Sequence, residues 1–143
     1  MNRVRMMVSM AAVAIGGASA FGIGASVSSK PSLMSRSDYE SMRVIVHLDG
    51  QEAFAACDAQ RLAARQLCQA EARAREEVLL ADLEMRYRGT FSAARDARFT
   101  KIRAKYDVDR SRCFAFAGVK RDNCIVAAHA DRARSLMAIK AEG

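Results

Sequence analysis

The sequence predicts an all-α protein built as two disulfide-stapled helical hairpins, about four helices, following an N-terminal signal peptide. Three observations lead there. Hydrophobic residues make up 51% of the 143 positions but aromatic ones only 6%, and there is a single proline. The apolar share is therefore carried by alanine, methionine and small aliphatics, which suit helix packing better than a sandwich or barrel. Second, Cys57 and Cys68 have the same spacing as Cys113 and Cys124, and the two pairs lie 56 positions apart. Third, long segments with apolar residues recurring at the helical period are separated by short breaks. The length allows one small domain and leaves little room for a second core.

At the amino terminus, Arg3 and Arg5 precede an uncharged run from Met6 to Ala20 that ends in Ala18-Ser19-Ala20, a small-x-small cleavage pattern. Cleavage after Ala20 is expected. The uncharged run continues to Ser29, so an uncleaved inner-membrane anchor is the alternative. Gly16, Gly17, Gly22 and Gly24 make the run only weakly hydrophobic, which favours the cleaved leader. Loss of residues 1–20 removes two arginines and lowers the net charge from +7 to +5. Residues 21–37, rich in glycine and serine with Pro31, read as a flexible arm.

The first hairpin is expected over 38–89. Ser37-Asp38-Tyr39-Glu40 is a capping-box start for a helix running to about Ala59, with Gly50 as its weak point. Val44-Ile45-Val46 before Asp49-Gly50 also has the pattern of a strand entering a turn. Helix is preferred because Gln51 to Ala56 continues in helix-forming residues and no second strand follows. A second helix is expected over about Leu62 to Arg88. Leu67, Ala70, Ala74, Val78, Ala81 and Met85 form one apolar strip and Ala72, Leu79 and Leu83 another, so two packing neighbours are expected. Glu71, Arg75, Asp82 and Arg86 are spaced for intrahelical i,i+4 pairs. Gly89 ends this helix, and Thr90 or Ser92 caps the next.

The second hairpin is expected over 90–143. Its first helix should span about Phe91 to Ala117, with Phe91, Phe99, Ile102, Tyr106, Cys113 and Phe116 on a single inner arc. Gly118 is read as its end and Asp122 as the cap of a last helix reaching about Ala141. That helix should turn Cys124, Ile125, Ala128, Leu136 and Ile139 inward. The shared spacing is best explained by duplication of one supersecondary unit.

An exported chain with an even number of cysteines is expected to form disulfides, and four cysteines allow three connectivities. Eleven positions along one continuous helix would separate two thiols by about 16 Å, too far for a bridge. A chain reversal between them brings them together, which favours Cys57–Cys68 and Cys113–Cys124. A tetrathiolate zinc site needs shorter spacings, and His47 and His129 have no partner at i+3 or i+4, so no metal or other cofactor is expected. A redox pair would call for a C-x-x-C arrangement.

Cys57-Asp58, Cys68 to Ala72, Ala81 to Glu84, Arg86 to Thr90, Ala104-Lys105-Tyr106 and Cys113 through Gly118 to Cys124 resemble a group of exported Ala- and Lys-rich helical proteins of Gram-negative proteobacteria. In that group a Cys-Asp-x-x-x-Gly-Asn-Ala-Lys-Asp-x-Cys unit recurs between long helices. The resemblance spans about residues 35–135. This chain lacks the Gly-Asn turn in its first unit and uses arginine where the group favours lysine. The resemblance implies export and paired-cysteine architecture, and it carries no catalytic residue.

There is no glycine-rich phosphate loop, metalloprotease motif or serine elbow, and acids alternate with bases along the helices. Catalysis is not expected. Arg98, Lys101, Lys105 and Arg112 fall on one arc of the third helix and are the candidate contact for an anionic surface, a lipid headgroup or lipopolysaccharide. The plainer reading is that their stems cover a hydrophobic seam. Without interleaved exposed aromatics, nucleic acid is not an expected partner. The function this supports is a small exported, periplasmic helical protein with a structural, interaction or envelope-stress role. A binding or chaperone-like module for anionic or unfolded partners, and a thiol-disulfide redox protein, are its rivals. The sequence does not fix the partner: an envelope protein or an anionic surface is a candidate, and a second copy of the chain is another.

Overall fold

The computed structural model describes residues 33–141; the expected leader over 1–20 and the arm up to residue 32 lie outside the described residues. Within them the chain forms α1 (Arg36–Ala56), a 3-10 turn (Cys57–Ala59), α2 (Leu62–Arg88), α3 (Phe91–Cys113) and α4 (Gly118–Ala141). Among the described residues there is no strand, so the alternative at Val44 to Gly50 is resolved as helix. Two disulfides, Cys57–Cys68 and Cys113–Cys124, staple α1 to α2 and α3 to α4.

The helices form an open antiparallel row. α1 packs on α2, α2 on α3 and α3 on α4, and among the described residues no other pair of helices comes together. α2 thus has the two neighbours that its two apolar strips require. Because the row does not close on itself, each seam is only two helices deep and the buried set is small. It comprises Gly50, Ala72, Ala93, Ala97, Ala104 and Ala128, the aliphatics Val46, Leu83 and Ile139, and Cys57 and Cys113. Alanine on facing surfaces lets helix axes approach closely without side chains having to interdigitate.

α3 differs from the single inner arc expected for it. Ala93, Ala97 and Ala104 are its buried strip, about 160° around the helix from Ile102 and Tyr106. A helix inside a row must cover two neighbours, so the aromatic arc serves one side, toward α4, and the alanines serve the other. Cys113 on that arc is fully buried, but Phe91 is 74% exposed and Phe99 sits at the margin of the seam.

Several boundaries also move. Ser35, not Ser37, caps α1: its hydroxyl accepts from the Asp38 backbone N–H at 3.1 Å. Glu40 pairs with Arg36 at 2.8 Å instead of reaching back to the cap, so helix begins inside the expected arm. α1 stops at Ala56 and the 3-10 turn completes the stretch to Ala59. Thr90 caps α3 by accepting from the Ala93 N–H at 3.2 Å. α3 ends at Cys113 and not Ala117, because i to i−3 bonds from Phe114, Ala115 and Phe116 tighten the chain into the bend. Gly118 opens α4 in a left-handed conformation at φ 53° where the end of α3 was expected, and Asp122 is an exposed residue one turn inside α4.

The two bends correspond position by position at the 56-residue offset. Gln60 N–H donates to the Cys57 carbonyl and Phe116 N–H to that of Cys113, each at 3.0 Å. The Sγ atoms of Cys57 and Cys113 lie 3.3 and 3.2 Å from the carbonyl oxygens of Ala53 and Asp109. α2 and α4 both start on a residue with positive φ: Leu62 at 27° in the first bend, Gly118 at 53° in the second.

Candidate functional site

Cα atoms are 5.6 Å apart in both cystines, within the usual range for a disulfide. In each, the first cysteine has no exposed surface and the second is half-buried. No cysteine is free. The first bend has no glycine; Arg65 ties it together by donating to the carbonyls of Asp58 at 2.8 Å and Gln60 at 3.1 Å. Gln69 adds a bond to the Asp58 carboxylate at 3.3 Å. Nothing in the pattern of apolar residues signals that role for Arg65.

The basic arc of α3 is engaged in ion pairs. Lys101 reaches Asp82 of α2 at 2.7 Å and Arg112 reaches Glu71 at 3.7 Å and Asp109 at 3.1 Å. Lys105 holds Asp109 at 2.5 Å and Asp131 of α4 at 3.7 Å. Arg98, exposed one turn before Lys101, has an interaction partner as well. Arg103, off the arc, adds a bond to Glu77 at 3.0 Å. Glu71 and Asp82, spaced for intrahelical pairs, are taken up across the seam. These pairs are solvent-exposed, worth about 0–1 kcal/mol each, so they set register and cover the seam more than they stabilise it. Asp109, accepting a hydrogen bond from Lys105, raises the lysine's pKa, with the Asp131 charge adding to it.

At the opposite end of the α1–α2 seam, the Tyr39 hydroxyl donates to Glu84, which also pairs with Arg88. The hydrogen bond pushes the tyrosine pKa up and holds the carboxylate below its ordinary value. The Tyr39 and Tyr87 rings stack with centroids 4.3 Å apart. Midway along the seam, His47 Nδ1 lies 2.7 Å from Glu76. Gly50 makes room for that carboxylate, since a Cβ there would stand 2.6 Å from it. His129 lies 3.1 Å from the Tyr106 hydroxyl across the α3–α4 seam. Both histidines are thus interhelical partners, and among the described residues no three His, Cys, Asp or Glu side chains are grouped to hold a metal ion.

Several grooves open on the row, and two of them have mainly apolar linings. One, of about 380 Å³, runs between α1 and α2 over Val46, Ala53, Ala72 and Leu79, with Arg75 and Glu76 at its rim. The other, of about 310 Å³, lies between the start of α3 and the end of α4 and holds Phe91, Phe99 and Ile139 among Arg95, Arg98 and Lys140. At the cystine end, Leu62 (85% exposed), Val119 (74%) and Phe114 stand in solvent. Their positions in the bends could be located from the cysteine spacing, but their exposure could not. No helix among the described residues is long and apolar enough to cross a membrane. No family model, curated protein or solved structure matches the chain.

Proposed function

We propose that this is an exported, periplasmic scaffold protein, two copies of one disulfide-stapled hairpin unit, that acts by presenting surfaces and not by catalysis. The observation that carries the reading is the pair of cystines, each with one sulfur sealed from solvent at the end of a hairpin. Such bridges persist in oxidising compartments, and small units with thin cores depend on them. The apolar leader pattern with Ala18-Ser19-Ala20 and the resemblance to exported paired-cysteine proteins point the same way. Position-by-position agreement of the two bends supports duplication. Among the described residues nothing covers the two broad sides of the row, which suits an interaction role, as in repeat proteins that stack units in one dimension.

Expression with the native leader in a Gram-negative host tests this. The expected product is periplasmic, begins at Phe21 and has no titratable thiol under native conditions. A cytoplasmic product with four thiols overturns the export reading. A cystine that exchanges rapidly with glutathione would favour the thiol-disulfide rival over the scaffold.

A further inference from the structure

We propose that the cystine end of the helix row is a docking surface for an anionic phospholipid bilayer. Both bends face the same way. Opposed pairs Glu71–Arg112, Glu77–Arg103 and Asp82–Lys101 fix α2 and α3 antiparallel, so the bend before Leu62 and the bend before Gly118 lie at one end. Counting along the helices from each cystine places Leu62 and Val119 within about one turn of the same height, roughly 5 Å. That difference is inside the 5–10 Å to which interfacial segments typically bury.

The composition of this end is what such a surface needs. Leu62, Val119 and Phe114 project into solvent. Around them, stretches 57–65 and 110–122 hold Arg61, Arg65, Arg110, Arg112, Lys120 and Arg121 against Asp58 and Asp122, a net charge of +4; Arg112 is paired with Glu71 and Asp109 and Arg121 lies 3.9 Å from Asp122, so Arg61, Arg65, Arg110 and Lys120 carry most of the excess. Arg65 spends its hydrogen bonds on backbone carbonyls and keeps its charge uncompensated by a carboxylate. Lys120 lies over the Phe116 ring at 4.5 Å. Folding alone gives no reason for Leu62: it sits at positive φ, where the matching position of the other bend has glycine, and it buries almost nothing. A side chain that is unfavourable both in backbone conformation and in exposure is accounted for if it inserts among acyl chains. The opposite end is less suited, since Asp38, Glu40, Asp82, Glu84 and Asp96 interleave with its cations.

Purified oxidised protein, cosedimented with vesicles, tests the inference whether or not the export reading holds. Binding is expected to phosphatidylglycerol/phosphatidylcholine vesicles at low salt, fading as salt rises, and not to phosphatidylcholine alone. Leu62→Ser with Val119→Ser should lower the partition coefficient at least about tenfold. Lys120→Gln with Arg121→Gln should lower it by roughly tenfold or more, while Arg86→Gln with Arg95→Gln at the other end leaves it unchanged. Native thiol count and helix content, measured on every variant, separate loss of docking from loss of fold. Because the chain has no tryptophan, Leu62→Trp and Phe91→Trp report on the two ends. Emission should shift to the blue with anionic vesicles for Leu62→Trp only. Equal binding to zwitterionic vesicles, a shift confined to Phe91→Trp, or serine variants that bind undiminished would overturn the proposal. So would serine variants that change only the oligomeric state, which would assign the patch to a second copy of the chain.

Discussion

Leu62 and Gly118 occupy matching places with different side chains, and this makes them the sharpest residue-scale test of the fold. A non-glycine residue in the left-handed region costs about 1–2 kcal/mol. Leu62→Gly is therefore expected to raise the unfolding free energy of the oxidised protein by up to about 1 kcal/mol, after allowance for glycine's extra freedom when unfolded. Gly118→Ala should lower it by about 1 kcal/mol; its Cβ meets nothing within 4 Å, so the effect is conformational and not steric. A destabilised Leu62→Gly would show that the leucine contributes to folding. Tyr39→Phe removes the bond to Glu84 and should cost about 0.5–1.5 kcal/mol at neutral pH. The sign with pH follows from Glu84, whose pKa is held below the ordinary 4.5 by that bond. Its contribution is present above the ordinary value and is lost as pH falls through the depressed one, so the gap between wild type and Tyr39→Phe narrows in acid. Equilibrium unfolding of both proteins between neutral and acid pH measures it. The cysteines and Thr90 were readable as residues because spacing and capping have local causes. The partners of Glu71, Asp82 and Lys101 were not, because those contacts join residues at least 19 positions apart.

At the level of elements, each hairpin depends on its cystine. Replacing Cys57 and Cys68 by alanine removes a loop of about a dozen residues from the constrained set and should cost about 3 kcal/mol, and the same holds for Cys113 with Cys124. Thermal unfolding of each double variant against the parent measures this; equal losses are expected because the bends match. The α3 alanines make a second test. Ala97 is 2% exposed, and Ala97→Leu should destabilise by about 1–3 kcal/mol through overpacking, read from a denaturant titration. Helix identities and the span of α2 were legible in the periodic pattern. The buried strip of α3 was not, because the hydrophobic pattern weights large side chains, whereas a seam between closely approaching helices is lined by small ones. The start of α4 is hidden for a related reason: in the sequence a glycine signals a stop, but a left-handed residue also serves to open a helix after a bend.

Across the whole molecule, an open row behaves differently from a closed bundle. α2 and α3 each have neighbours on two sides, and α1 and α4 on one. Amide exchange should therefore be slowest in α2 and α3 and fastest in the two edge helices, with the cystine ends of α1 and α4 protected relative to their free ends. Uniform protection across the four helices would contradict the row. The arrangement also explains the fate of the basic arc: single carboxylates of the two neighbouring helices, Glu71 and Asp82 of α2 and Asp131 of α4, face it across the seams, so cations on α3 become seam partners. The account rests above all on two hairpins each closed by its own bridge. Peptide mapping of the native protein without prior reduction tests this most directly. The predicted result is one peptide pair linking Cys57 to Cys68, another linking Cys113 to Cys124, and no free thiol. A bridge between Cys68 and Cys113, or between Cys57 and Cys124, would contradict it.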